Sequence, residues 1–126
     1  MHRSRLYGIF IDTPHAEAAG AAAFWSAALG APARTVPGEE QFTTLTGALP
    51  ELVAGVQSAD APARYHVDIE TDDVDAEVAR LAALGAVEVA RWLDCHVLRA
   101  PGGHLLCVVP VHSAPDLFTA HARVWP

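Results

Sequence analysis

The sequence predicts an α+β protein: two βαβββ modules forming a curved mixed sheet with a cup, and helices on the outer face. Three observations point there. The segment Ala27-Ala28-Leu29-Gly30-Ala31 recurs as Ala82-Ala83-Leu84-Gly85-Ala86. A helical apolar pattern leads into each copy. One alternating strand precedes each helix, and three short strand-like runs follow it.

The first strand spans Leu6 to Asp12. In the helix after it, Ala18, Ala22, Trp25 and Leu29 form one stripe. Thr13 can cap this helix, Pro14 suits its first position, and Gly30 ends it. Strands are then expected near Pro32–Val36, Gln41–Thr46 and Leu52–Gln57, separated by Pro37-Gly38 and by Gly47 with Pro50. Ser58 to Arg64 reads as a linker. The second module opens with a strand from Tyr65 to Thr71, followed by a helix whose stripe is Val74, Val78, Leu81 and Leu84. Asp72 can cap it, with Asp75 completing a partial capping box, and Gly85 suits the left-handed residue at its end. Asp75 and Glu77 read as solvated. Strands follow at Val87–Trp92, His96–Arg99 and Leu105–Val109, with Pro101-Gly102-Gly103 as a tight turn. Ser113-Ala114-Pro115-Asp116 resembles another capped start, and Phe118, Ala122 and Trp125 would dock a helical tail. The expected organisation is a single domain over 1–126: module one about 5–58, module two about 64–110, tail 113–126.

Composition narrows the function classes. The 126 residues are 52% hydrophobic and 18% charged, as in a compact domain rather than a disordered tail. Fifteen acidic against eight basic side chains give a net charge of −7. Nucleic-acid binders carry the opposite sign, so that partner is not expected. No apolar run approaches the roughly 18 residues of a membrane span, and no secretory signal is evident, which makes the cytoplasm the default compartment. Cys95 and Cys107 fit no zinc or redox spacing and read as reduced thiols.

Over roughly Leu6 to Pro110 the chain resembles the vicinal-oxygen-chelate superfamily, which includes glyoxalase I, ring-cleaving dioxygenases, fosfomycin-resistance enzymes and bleomycin-binding proteins. It is most similar to the small glyoxalase-like proteins common in actinobacteria. The resemblance is carried by Phe24-Trp25 with Ala28-Leu29-Gly30, by His66-Val67-Asp68-Ile69-Glu70-Thr71-Asp72-Asp73, by Ala82 to Ala86, and by the run His96 to Pro110 with Pro101-Gly102-Gly103-His104 at its turn.

The resemblance implies metal ligands on the first and last strands of each module. Carried onto this chain, those positions are Leu6, Gln57, His66 and Cys107. Leu6 has no donor atom, Gln57 and Cys107 are weaker substitutes, and His66 alone is a good ligand. No tightly bound metal is therefore expected; were one held, it would be a divalent ion such as zinc, nickel, manganese or iron. By strand parity Tyr65, Val67 and Ile69 face the helices, leaving His66, Asp68 and Glu70 toward the cup. Leu6, Gly8 and Phe10 would line it from the first strand, and Trp92 is placed to stack on a ligand. His66 between carboxylates could grip an anionic or phenolic group or act in acid–base chemistry.

Three readings follow. One is a small-molecule binder with a degraded metal site that sequesters an antibiotic or metabolite. Another is a metal-dependent lyase, isomerase or dioxygenase with an altered ligand set. In the third, a structural module, Phe10 and Trp92 fill the cup. The resemblance also implies a homodimer.

Overall fold

The computed structural model describes residues 1–126 and resolves the chain into two compact units, Gly8–His66 and Met1–Tyr7 with Val67–Pro126. Both are mixed α+β, as predicted, and each follows the βαβββ order.

In the unit Gly8–His66, β1 (His2–Pro14) contributes its C-terminal half. A 3-10 turn at His15–Glu17 leads to α1 (Ala18–Leu29), followed by β2 (Ala33–Val36), β3 (Glu39–Leu45) and β4 (Val53–Ala59). The strand order is β2-β3-β4-β1, antiparallel except for the parallel β1–β4 pair. The expected Thr13 cap does not form. Pairing of β1 with β4 runs on to Pro14 and Ala59 and holds Thr13 and Pro14 extended, so Thr13 Oγ1 donates to Ile11 O at 3.2 Å instead. The helix starts later, at Ala18, with no side-chain cap, and ends as expected on Gly30 at φ 64°. Its stripe places Ala22, Ala21 and Trp25 on Ile11, Leu45, Ala54 and Val56. The alternation that sends Ala54 and Val56 to the helix leaves Gly55 and Gln57 on the other face.

The second unit holds β5 (Arg64–Thr71) from Val67 onward, α2 (Val74–Ala83), β6 (Val87–Trp92), β7 (Cys95–Arg99) and β8 (Leu105–Pro110). Its strand order is β5-β8-β7-β6, with β5 parallel to β8 and the others antiparallel. Val74, Val78 and Leu81 of α2 cover Val67, Ile69, Leu98, Leu106 and Val108. The cap is Asp73 rather than Asp72: Asp73 Oδ1 accepts from Ala76 N at 3.0 Å. Asp72 is held by Arg3 instead, through Arg3 N at 2.7 Å and Nε at 3.0 Å.

The tail also departs from expectation. α3 (Pro115–His121) is shorter than the predicted stripe, and Arg123–Trp125 form β9, antiparallel to the start of β1 with His2 opposite Trp125. Glu77, read as solvated, is fully buried, because His2 Nε2 lies 2.8 Å from its Oε1 and Arg80 grips both oxygens at 2.7 and 2.9 Å. No helix is long and apolar enough to cross a membrane.

Candidate functional site

Strand β5 divides its side chains by parity. Val67 and Ile69 belong to the α2 core. Tyr65, expected with them, is 64% exposed and borders an open cleft of about 290 Å³ with Ile11, Ala21 and Trp25. The even positions Arg64, His66, Asp68 and Glu70 lie on the opposite face.

His66 is buried and doubly held. Its Nδ1 lies 2.9 Å from Asp12 Oδ2, and its ring stacks on Phe10 at 5.2 Å between centroids and 18° between planes. Arg64 Nε donates to the same Asp12 oxygen at 3.2 Å. Asp12 is itself buried, and its Oδ1 has no hydrogen-bond partner. Phe10 is also buried, edge-on to Phe42 at 5.9 Å, so its ring fills the space between His66 and Phe42. The backbone makes room for it. A Cβ on Gly55 would come within 3.4 Å of the Phe10 ring, and one on Gly8 within 3.2 Å.

Asp68 stands directly opposite Cys107 in the β5–β8 register, and both are half-buried. A carboxylate oxygen and a sulfur are donors that zinc accepts.

The remaining predicted residues are placed differently. Gln57 is half-buried, opposite Asp12 on one side and Phe42 on the other. Glu70 is fully buried and committed elsewhere: its oxygens accept from His112 N at 2.8 Å, Ser113 N at 2.9 Å and Ser113 Oγ at 2.6 Å, with Arg5 Nε at 3.5 Å. It anchors the segment before α3. Leu6 is 40% exposed, and Trp92, at the end of β6 opposite Cys95, is 54% exposed.

The sequence reading missed Asp12 and Arg64. One signal was available: Asp12 is an acid at the end of an otherwise apolar strand, on the same parity as Phe10.

Comparison with known proteins agrees with this architecture. Residues 8–109 match the glyoxalase-like domain family. No curated protein sequence matches. Among solved structures, methylmalonyl-CoA epimerase from Mycobacterium tuberculosis superposes with a TM-score of 0.51 over 89% of each chain. At 15% identity that likeness concerns the fold. With the family match covering most of its length and the paired βαβββ modules on display, this chain belongs to the glyoxalase-like domain family of the vicinal-oxygen-chelate superfamily.

Proposed function

We propose that this protein binds a small molecule on the face of β5 around His66, sequestering an antibiotic or metabolite that carries a hydroxyl or phenolic group. The observation that carries the reading is the fixed imidazole: Asp12 holds one ring nitrogen and Phe10 fixes the ring plane. Arg64 and Asp12 add polar groups on the same unit. A few convergent polar groups on a largely apolar surface are what small-molecule sites use. The four positions implied by the superfamily are depleted here, since Leu6 brings no donor atom.

The test is a panel of phenolic and hydroxylated compounds followed by thermal shift and NMR titration. Saturable binding that disappears in His66→Ala supports the reading. Binding unchanged in that variant, or no binder at all, overturns it.

A second reading is favoured by one observation, the carboxylate of Asp12 on one ring nitrogen of the buried His66. A metal-dependent lyase, isomerase or dioxygenase would use His66 to hold a divalent ion. An imidazole nitrogen suits such an ion, and a carboxylate on the other ring nitrogen is the support that metal-binding histidines commonly have. When bound, the ion would supply Lewis-acid polarisation of a substrate oxygen. Elemental analysis of untagged protein separates the readings. Close to one metal per chain, lost on His66→Ala, favours the enzyme; its absence after titration with zinc, nickel, manganese and ferrous iron favours the binder.

The protein is further proposed to pair as a homodimer. Strand β6 is hydrogen-bonded on one side only and exposes Val87, Val89 and Trp92, a template for a second chain. Light scattering that gives a mass near 13.3 kDa would refute pairing.

A further inference from the structure

We infer that the cleft bordered by α1, β1 and the start of β5 is a second binding site, for a small planar aromatic acid whose rings lie against Trp25 and Tyr65 and whose carboxylate meets the Arg64 guanidinium. This goes beyond the reading of His66 and does not depend on it.

The cleft lies wholly within the unit Gly8–His66, and its volume of about 290 Å³ is near the lower end of the roughly 300–1,000 Å³ typical of small-molecule sites. Its apolar walls come from Ile11 of β1, from Ala21 and Trp25 of α1, and from Ala63 and Tyr65 where the chain enters β5. Alanine at 21 and 63 leaves open the space that a larger side chain would fill. Tyr65 is 64% exposed, so an apolar ring laid on it removes aromatic surface from water. Two aromatic side chains in one small cleft favour a flat partner, which can stack on one and meet the other edge-on.

Charge selects an acid. Asp12 and Arg64 also line the cleft, and Arg64 Nε donates to Asp12 Oδ2 at 3.2 Å. The two members of this pair are unequally accessible. The Asp12 side chain is 5% exposed and its Oδ1 is closed to solvent, whereas the Arg64 side chain is 46% exposed. The charge a ligand meets is therefore the positive one. Asp12 engages the guanidinium through Nε, leaving the N–H donors on Nη1 and Nη2 for a ligand. A carboxylate matches that fork in shape and in sign. A cation would be repelled by it, and a neutral ring gains only the apolar walls.

The experiment titrates the full ¹⁵N-labelled chain with 2-naphthoate and, separately, with the neutral 2-naphthamide, and follows the tryptophan indole N–H signals by NMR. Trp25 is assigned by the signal missing from Trp25→Phe. With 2-naphthoate the Trp25 signal should move saturably while those of Trp92 and Trp125 stay in place. The acid should bind about fivefold more tightly than the amide, the scale of one well-placed, partly exposed charge pair. Arg64→Gln should bring the two affinities together. Ala63→Phe, at an exposed position, fills the cleft and should abolish the shift with either compound.

Equal affinity for acid and amide in the wild type overturns the ligand class, and this comparison stands even if no variant folds. A preference for the acid that survives Arg64→Gln overturns the role of Arg64. No saturable movement of the Trp25 signal, or unchanged binding in Ala63→Phe, overturns the site. Movement of the His66 ring signals with Trp25 unmoved puts the acid at the imidazole instead, which refutes this inference and leaves the reading of His66 intact.

Discussion

Replacing Glu77 by Gln tests how the start of β1 is tied to α2. The carboxylate is fully buried, which by itself raises its pKa. Hydrogen bonds from Arg80, Ser4 and His2, with the Arg80 charge, outweigh that effect and hold it at about 2, against an ordinary 4.5. The sign follows from linkage: a group whose pKa is lower folded than unfolded stabilises the fold above the unfolded value, and the contribution is lost as pH falls through the folded one. The difference corresponds to roughly 3 kcal/mol at neutral pH and falls to roughly 1.5 kcal/mol by pH 3. Glu77→Gln keeps the shape but removes the charge that pairs with Arg80, so it should destabilise by about 3 kcal/mol at pH 7, within the range for breaking a buried pair. The assay is urea unfolding of both proteins at pH 7, 5, 4 and 3. The gap between them should stay constant down to about pH 5 and close below it. A gap under about 1 kcal/mol at pH 7, or one that does not narrow in acid, would refute the argument.

Two glycines should respond with opposite signs. Gly8→Ala places a Cβ 2.5 Å from the Val53 carbonyl oxygen, a backbone atom held in the β1–β4 ladder, and should cost about 1–3 kcal/mol in urea unfolding. Gly20→Ala, inside α1 with nothing within 4 Å of the added carbon, should stabilise by up to about 1 kcal/mol in the same assay. Glu70→Ala strips the acceptors from His112 N, Ser113 N and Ser113 Oγ, so amide exchange in α3 should accelerate before the rest of the chain. Trp125→Ala removes the ring lying 3.8 Å from the Arg80 guanidinium and the donor to Ser4 Oγ; a loss of about 1–2 kcal/mol in thermal or urea unfolding is expected.

Most of the architecture was legible because it depends on periodicity. Val74, Val78 and Leu81 announce a helix, and Val67 and Ile69 announce the strand it covers, since apolar burial fixes the phase of each. Helix ends were less legible. Thr13 and Asp72 are both good cap residues, yet each was claimed by a tertiary partner: the β1–β4 ladder keeps Thr13 extended, and Arg3 occupies Asp72. Glu77 failed for the same reason. A charged side chain on a helix face is usually solvated, and only long-range pairing with His2, 75 positions away, takes this one inside. The tail was misread because β9 depends on the start of β1, at the other end of the chain. The site was partly legible. His66, Asp68 and Cys107 follow from alternation once β5 and β8 are placed, but the partner of His66 is 54 positions away and no local pattern connects them.

The even side of β5 carries both structural and candidate functional groups. Arg64, His66, Asp68 and Glu70 succeed one another along a single face, and the two ends are engaged in holding structure. Arg64 steadies Asp12, and Glu70 anchors the approach to α3 with three hydrogen-bond donors and the Arg5 charge around its carboxylate. Phe10 closes the space between His66 and Phe42, so the first strand supplies a wall there and, two residues on, the Asp12 carboxylate that holds the ring. The middle of the strand carries His66 and Asp68, and Cys107 lies opposite Asp68 on β8. The register of β5 cannot be traded against this site. A slip of one residue would turn Val67 and Ile69 out of the α2 core and bring His66 and Asp68 into it. The packing that stabilises the helix and the alternation that presents the imidazole are thus one constraint.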